Sequence, residues 1–308
     1  MHKEKELSTT AIIGLCFLLT SSGWLSWEYH LMPRIPGAAT DLWTMGAGYF
    51  LQAAGIGLFS VLLRAGEDRA DPVLSAALVL HMICMIPAVI SPHVAGTLVF
   101  GCLMNLFCGV IAGYYLYDLA KNCREDRKAL VFGSGYGISI LLQWLLSLIG
   151  GGAVYYSKTI LAICLILTIM VFFVRPKKGE DMQTQETEKS AAADVSAERL
   201  PAPAKQRKAA SERLLLTAGI LVLLFSVVNS CGFSFPSAEI GNSINVELSR
   251  LVYAAGLMIA GFAADRNRKY GAVCALAALM IPFIILSLQG EAVPSLIFWL
   301  VSYFVFGF

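Results

Sequence analysis

Apolar segments about as long as a bilayer is thick recur along the chain and constrain its fold more than any other feature. A helix that crosses the hydrocarbon core of a membrane needs about 20 mostly apolar residues. Ten segments approach or meet that length, and they cover residues 8–27, 42–63, 73–91, 94–118, 129–150, 156–174, 213–232, 245–264, 270–288 and 293–308. The sequence therefore predicts an all-α polytopic membrane protein with segments 1 to 10 as its transmembrane helices.

The composition agrees with this prediction and excludes other classes of protein. Hydrophobic residues make up 57% of the 308 residues and charged residues only 14%, whereas soluble domains carry about 25% charged residues. The net charge of +2 gives no sign of a nucleic-acid partner. No metal-ligand spacing, cofactor-binding motif or catalytic motif is visible, so we expect no metal, no cofactor and no enzymatic activity.

The positions of Lys and Arg predict how the segments are oriented. If the N-terminus lies in the cytoplasm, all but three of the 23 basic residues fall on the inner side of the membrane. The exceptions are Arg34, Lys158 and Arg250. Because cytoplasmic loops carry an excess of Lys and Arg, we expect a multi-pass protein of the cell (plasma) membrane, the inner membrane of a bacterium, with a cytoplasmic N-terminus and the lipid bilayer as its partner.

Segment 1 has the charge pattern of a secretory signal peptide, but its end does not fit one. Trp24, Trp27 and Glu28 stand where a cleavage site with small residues would be required. We therefore expect this segment to be retained as a helix.

A polar stretch divides the chain into three predicted parts. Residues 176–212 are charged, spaced by Ala and Pro and free of aromatic residues, so they are expected to form a disordered cytoplasmic linker. The residues before it, 1–175, are predicted to form an N-terminal bundle of six helices. The residues after it, 213–308, are predicted to form a partial C-terminal bundle of four. Because segment 10 reaches Phe308 without a polar end, we interpret the chain as a fragment of a longer product.

The loops after segments 2 and 8 carry related sequences, which indicates an internal duplication. The first loop contains Asp68 and Arg69. The second loop contains Gly261, Asp265, Arg266, Arg268 and Lys269. In this second loop the glycine allows two helices to approach closely, and Asp265 can accept hydrogen bonds from the N-terminal amides of the next helix. The basic residues suit a helix C-terminus beside an anionic leaflet.

With this loop and its layout the chain resembles the major facilitator superfamily (MFS) of membrane transporters. The layout of six plus six helices around a long cytoplasmic loop is similar over the whole chain, and the motif covers Gly261–Lys269. The resemblance implies two bundles around a central solute site, a conformational gate formed by the loop residues named above, and two further helices that the chain lacks. It also implies that segments 1, 4, 7 and 10 line the central cavity.

The predicted function is therefore secondary transport of a small, unidentified solute by alternating access, carried out by a monomer. An alternative stays open because the first copy of the loop is degraded, with Arg64 in the place of its glycine. In that alternative the chain is a membrane-embedded ligand sensor, the membrane portion of a LuxR-type transcriptional regulator, and performs no net transport. Nothing in the chain itself indicates the DNA-binding part.

Polar and aromatic side chains within the apolar segments are the candidates for a solute path. Arg250 is costly to bury in the outer half of segment 8 and is a candidate for capture of an anionic group. Its alternatives are a pair with Glu247 three residues away, or a side chain that extends outward. The other path candidates are Asn105, Gln143, Asn229, Trp24 and Trp27. For the amides the alternative is an interhelical hydrogen bond.

Two further features are interpreted as packing. His81 lies near the middle of segment 3, and a neutral histidine bonded to a neighbour is favoured over a proton relay because no acidic residue stands near it. Two Gly-x-x-x-Gly pairs predict close helix crossings. These pairs are Gly109 with Gly113 and Gly133 with Gly137.

Overall fold

The computed structural model of the protein describes residues 2–64, 66–149, 153–175 and 246–266, together with residues 300, 301 and 304. These residues are almost entirely helical and include no strand. The predicted all-α class is thus confirmed for this part of the chain. The linker and segments 7 and 9 lie outside the described residues, as does nearly all of segment 10.

Seven helices carry the described part of the chain. They are α1 (His2–Leu31), α2 (Gly37–Leu63), α3 (Ala70–Ile90), α4 (Val94–Asn122), α5 (Lys128–Leu148), α6 (Thr159–Val174) and α7 (Val246–Arg266). Short 3-10 turns at Glu67–Arg69 and Ala153–Tyr156 precede α3 and α6. Helices α1 to α6 correspond to predicted segments 1 to 6, and α7 corresponds to segment 8.

Helix α2 is not uniform. It begins with an α-helical turn at Gly37–Asp41, continues through a π-helical turn at Leu42–Ala47, and returns to α-helical spacing at Gly48–Leu63. A π-helical turn is rare, and such turns frequently occur at functional sites.

Helices α1 to α5 are each long and apolar enough to cross a membrane, judged by their length and composition. Helix α6 is apolar but shorter, with 16 residues. Large hydrophobic side chains point away from the bundle, and Phe50 and Phe173 are 73% and 83% exposed. Water would not favour such faces but lipid does, so the prediction of a membrane protein with several transmembrane helices is supported at this level.

The core of the described bundle is built around α1. This helix packs against α3, α4, α5 and α6, while α2 and α3 each pack against α4. Its side chains Ile12, Leu19 and Trp27 are fully buried. Helix α7, from the second half of the chain, packs mainly against α5.

Within the first half, α2 and α4 cross at glycine. A Cβ atom added to Gly109 would fall onto the backbone of Gln52, and one added to Gly55 would fall onto the backbone of Leu106. A Cβ atom at Gly113 would meet the side chain of a neighbouring Phe59 at 2.7 Å. The close crossing predicted from Gly109 and Gly113 is therefore confirmed.

The second glycine pair forms a crossing between the two halves of the chain. A Cβ atom at Gly133 of α5 would lie 2.6 Å from the carbonyl oxygen of Leu257 on α7. A Cβ atom at Gly261 of α7 would lie 2.6 Å from the carbonyl oxygen of Ala129 on α5. Gly137 faces α7 in the same way. Since real Cβ atoms do not come this close to backbone, larger residues at these positions would push the halves apart.

Candidate functional site

A buried carboxylate lies where the two halves of the chain meet. Glu28, on α1, is only 7% exposed. It lies within electrostatic range of Arg250 on α7 and of Asp41 near the start of α2. Two acidic side chains from the first half of the chain and one basic side chain from the second half thus influence each other in this region. Because ionisable groups within membrane helices are costly, such positions are by default functional candidates.

An aromatic pair lies beside this carboxylate. Trp24, one turn before Glu28, stacks against Tyr49 of α2, with ring centroids 5.9 Å apart and ring planes 14° apart. Tyr49 is also within electrostatic range of Glu28 and of Tyr253 on α7. Its side chain is 46% exposed. The stacked pair therefore offers an accessible aromatic surface next to the buried charge.

Two tyrosines link the same region to α5. The hydroxyl groups of Tyr136 on α5 and Tyr253 on α7 are hydrogen bonded to each other. Their rings meet edge to face, with centroids 6.4 Å apart. Tyr136 also packs against Phe17 of α1, at 3.9 Å between centroids. We define the charged aromatic site by six residues, namely Trp24, Glu28, Tyr49, Tyr136, Arg250 and Tyr253.

At the other end of α7, Asp265 caps the start of α5. Its two carboxylate oxygens accept hydrogen bonds from the backbone amides of Ala129, at 3.0 Å, and Leu130, at 2.6 Å. The first amides of a helix lack intrahelical partners and carry partial positive charge, so a carboxylate there is stabilising. The sequence predicts such a contact for Asp265 but assigns it to the following helix. The partner in the structure is α5, in the other half of the chain.

Further polar contacts lie at the Asp265 end of the bundle. Asp118, near the end of α4, is 4% exposed and accepts a hydrogen bond of 2.7 Å from the Thr9 hydroxyl of α1. Arg127, just before α5, forms an ion pair of 3.3 Å with Glu6 of α1. Burial raises the pKa of the Cys123 thiol, which follows α4 directly. These contacts tie α1, α4 and α5 together within the first half.

The predicted path residue Asn105 lies in a helix contact. It is fully buried, its Oδ1 accepts a hydrogen bond of 2.7 Å from Gln52 of α2, and its amide nitrogen donates to the carbonyl oxygen of Gly101 at 2.9 Å. This is the interhelical hydrogen bond that stood as the alternative to a role in the path. Gln143 is also buried, and its side-chain nitrogen has no hydrogen-bond partner within the described part of the chain.

The two tryptophans of α1 have different surroundings. Trp27 is fully buried against Gly101 of α4 and donates its indole hydrogen to the carbonyl oxygen of Thr97, at 3.0 Å. Trp24 is half-buried and donates to the carbonyl oxygen of Thr44, at 3.1 Å, while its ring faces Tyr49. Of the two, only Trp24 belongs to the charged aromatic site.

The other predicted site residues are spread over the chain. Asp68 and Arg69 are exposed in the turn before α3. Arg266 is exposed at the end of α7, and Gly261 lies in the crossing with α5. Asn229, Arg268 and Lys269 lie outside the described residues, and so does the side chain of Glu247, the alternative partner of Arg250.

Among the described residues, His81 has no hydrogen-bond partner of the kind that the sequence predicts for it. The residue is fully buried on α3 and faces α1, where a Cβ atom at Gly23 would lie 3.2 Å from its Nε2. Neither ring nitrogen has a hydrogen-bond partner within the described residues. No acidic side chain from the described helices is found bonded to it, so a proton relay gains no support.

Four residues of the charged aromatic site are not singled out by the sequence. Glu28 enters the sequence interpretation only as an obstacle to signal-peptide cleavage, and Tyr49, Tyr136 and Tyr253 do not enter it as candidates. For two of them, helical spacing indicates a position on the same helix face as a predicted candidate. Glu28 follows Trp24 by four residues and Tyr253 follows Arg250 by three, so each pair shares one helix face.

No protein-family model matches the chain, and no curated protein matches it in sequence. The described residues define a helical membrane protein in which two halves of the chain meet at a glycine crossing. Its function therefore has to be inferred from the contacts of the chain itself.

Proposed function

We propose that this chain belongs to a secondary transporter of the major facilitator type, which moves a small solute across the cell membrane by alternating access. The observation that carries the proposal is the α5–α7 contact. It joins the two halves of the chain, it is close-packed at glycine along its length, and a single carboxylate, Asp265, caps it at one end. Transporters of this kind work by rocking two bundles against each other around a solute site.

The Asp265 contact has the strength expected of a reversible latch. A carboxylate that caps a helix N-terminus contributes about 0.5–2 kcal/mol. Two conformations that must exchange during a transport cycle differ by a few kcal/mol at most. The free energy of this contact is therefore small enough for it to break in each cycle. Its presence nevertheless changes the ratio of the two conformations several-fold.

The charged aromatic site lies at the other end of the same crossing. Arg250 and Asp265 are 15 residues apart on α7, which corresponds to about 22 Å along the helix axis. Rocking at the glycine crossing would separate the halves at one end while it brings them together at the other. In the proposed transporter the Asp265 end faces the cytoplasm, as the basic residues around it favour, and the charged aromatic site opens to the outside when the latch is closed.

The test measures whether the two ends open in opposition. Single cysteines at Leu130 (Leu130→Cys) and Tyr49 (Tyr49→Cys) are introduced separately, in a background whose native cysteines are replaced. Both are labelled with a water-soluble maleimide in proteoliposomes. Asp265→Asn removes the charge that holds the latch. We expect it to raise the labelling rate at position 130 about 2- to 30-fold, the equivalent of the cap energy, and to lower the rate at position 49.

A matched control distinguishes a switch from a loosened fold. Asp126→Asn makes the same chemical change at an exposed aspartate near the start of α5 that pairs with Arg124. It is expected to leave both labelling rates unchanged. If Asp265→Asn raises the labelling rate at both positions, or changes neither, alternating access around this contact is wrong.

A further inference from the structure

The charged aromatic site contains a buried carboxylate without a direct partner in the described part of the chain. Glu28 is only 7% exposed, and among the described residues its side chain forms no hydrogen bond and no ion pair. A buried carboxylate that lacks both is costly. Such a group therefore indicates that a ligand supplies the missing donor or positive charge.

The backbone places this carboxylate beside the stacked aromatic pair. Glu28 follows Trp24 by four residues in the continuous helix α1, so the two side chains lie one turn apart on one helix face. The Trp24 indole donates a hydrogen bond of 3.1 Å to the carbonyl oxygen of Thr44 on α2, and its ring stacks on Tyr49 at 5.9 Å between centroids. Glu28 thus lies about one helical turn from the stacked rings.

The same hydrogen bond places a second carboxylate near Glu28. Helix α1 ends at Leu31 and α2 begins at Gly37, so two successive membrane-crossing helices run in opposite directions across a short connection. One turn along α1 from Trp24 leads to Glu28, and about one turn back along α2 from Thr44 leads to Asp41. Both carboxylates therefore lie at one level of the bundle, Glu28 buried and Asp41 exposed.

The charges of the site sum to a negative value. Glu28 and Asp41 are acidic, and Arg250 on α7 is the basic residue within electrostatic range of Glu28. A solute with one positive charge would make this group of three neutral. An anion would double its negative charge, and a zwitterion or a neutral solute would leave that charge unbalanced. In surroundings of low dielectric constant, unbalanced charge is costly.

The aromatic rings favour the same kind of solute. Cations are attracted to the faces of Trp and Tyr when they lie within about 6 Å of the ring centroid. Tyr49 is 46% exposed although one face of its ring lies against Trp24, so part of the ring is accessible. A carboxylate one turn from these rings can pair with an ammonium group while the rings contact its carbon atoms.

We propose that the charged aromatic site binds an organic cation, an amine or quaternary ammonium compound with an apolar or aromatic body. Glu28 pairs with the positive group, Asp41 adds to the attraction, and Trp24 and Tyr49 contact the body of the solute. This assignment rests on the proposed transport function for its choice of solute site, and it adds the class of solute.

The first measurement compares three probes of similar size and different charge. They are phenethylamine, which is a cation at neutral pH, phenylacetamide, which is neutral, and phenylacetate, which is an anion. The full chain in nanodiscs of phosphatidylcholine is titrated by calorimetry, and empty nanodiscs give the background from lipid. Benzyltrimethylammonium tests a cation without an N–H donor. We expect phenethylamine to bind at least about tenfold more tightly than the amide, and the anion to bind most weakly.

The second measurement separates the two charges by the direction of their effects. Glu28→Gln is expected to weaken phenethylamine binding at least about tenfold, with little effect on phenylacetamide. Arg250→Gln removes a positive charge and is expected to tighten phenethylamine binding several-fold. A site for an anion or a zwitterion would show the opposite effect for Arg250→Gln. Glu125→Gln and Arg124→Gln make the same changes at exposed residues between α4 and α5 and are expected to change neither affinity.

Two further variants test the remaining groups. Asp41→Asn is expected to weaken phenethylamine binding less than Glu28→Gln does, because Asp41 is exposed, and Asp126→Asn is its exposed control. Tyr49→Leu removes an aromatic face and is expected to weaken binding of both cations about 2- to 30-fold.

Three outcomes would overturn the assignment. One is the absence of binding by both cations, another is an amide or anion that binds as tightly as phenethylamine, and the third is weaker phenethylamine binding in Arg250→Gln. If a variant does not fold, the comparison of the probes on the unaltered chain still decides. A general loss of folded protein cannot make probes of different charge behave differently.

Failure of this assignment and failure of the transport proposal give different results. Binding of phenethylamine without counterflow of the labelled amine in proteoliposomes would support the site and contradict transport, and would favour the sensor alternative. Opposed cysteine labelling at the two ends without any preference for the cations would support alternating access and contradict only the class of solute.

Discussion

The two glycine crossings of the molecule differ in the polar groups that lie beside the glycines. In the α2–α4 crossing, within the first half, the half-buried Gln52 and the fully buried Asn105 form a hydrogen bond between neutral amides. In the α5–α7 crossing, between the halves, the polar contact at the helix end is the ionised carboxylate of Asp265 on the backbone amides of α5.

This difference shows how one packing device can serve two purposes. Glycine brings the backbones together in both crossings, but the polar groups decide how easily the contact opens. The hydrogen bond between a fully buried Asn105 and a half-buried Gln52 has few other partners with which to exchange. A carboxylate at a helix end can exchange its partners for water, and its attraction to the helix end is sensitive to charge and salt. The first crossing is suited to a fixed joint and the second to a movable one.

The largest expected effect comes from filling the fixed joint. Gly109→Ala places a methyl group onto the backbone of Gln52, and the helices must separate to admit it. We expect the free energy of unfolding to fall by about 1–3 kcal/mol. Thermal unfolding of the purified chain in detergent measures the loss. Gly57→Ala is the control, because a Cβ atom there has no neighbour within 4 Å; equal stability of the two variants would contradict the role of the fixed joint.

The corresponding change in the movable joint is expected to act mainly on conformation. Gly133→Ala meets a single carbonyl oxygen, that of Leu257, at 2.6 Å, so α7 can yield at a smaller cost in stability. We expect Leu130→Cys to be labelled several-fold faster in this variant, with a smaller fall in Tm than Gly109→Ala causes. A fall in Tm as large as that of Gly109→Ala, with unchanged labelling, would remove the distinction between the two joints.

Loss of the hydrogen bond in the fixed joint is expected to lower the free energy of unfolding less than loss of its close packing does. Asn105→Leu leaves the Gln52 side-chain amide without its acceptor, and the expected loss is about 0.6–1.7 kcal/mol, as for other interhelical hydrogen bonds in membranes. Because the cost arises from the stranded partner, Gln52→Leu should cost less in the presence of Asn105→Leu than alone. Thermal unfolding of both single variants and the double variant measures this coupling, and strictly additive losses would argue against it.

The smallest expected effect is that of salt. Raising the ionic strength from 0.1 to 1 M shortens the screening length from about 10 to about 3 Å. The attraction between Asp265 and the start of α5 should weaken by a few tenths of a kcal/mol, so labelling at Leu130→Cys should rise by less than about threefold. Asp265→Asn should abolish this salt dependence. A salt effect of the same size in that variant would assign it to other charges.

The places of the seven described helices are predictable from the sequence, and five of these helices are long and apolar enough to cross a membrane, but the helix ends are not predictable. Segment 1 was expected over residues 8–27, whereas α1 extends over His2–Leu31. Hydropathy falls at the first charged residues, but the backbone hydrogen bonds of a helix continue past them. Glu28 therefore lies within the helix instead of in the loop that was expected to follow it.

Among the charged residues, the sequence singles out those that interrupt or end an apolar segment. Arg250 and Asp265 stand out for that reason, but their partners on α1 and α5 depend on how helices far apart in the sequence are arranged. For the tryptophans of α1, too, the sequence does not show which partner each side chain faces. Trp24 and Trp27 are three residues apart in a helix that is apolar on most of its surface, so no hydrophobic stripe indicates which of them faces the site.

The π-helical turn of α2 sets the rotation of the first part of this helix relative to its second part, next to the charged aromatic site. A π-helical turn holds one residue more than an α-helical turn. If the turn at Leu42–Ala47 adopted α-helical spacing, the segment before it would rotate by about 100° relative to the segment after it. Asp41 lies on one side of this turn and Tyr49 on the other. Such a change would turn the part of α2 that carries Asp41 relative to the part that carries Tyr49.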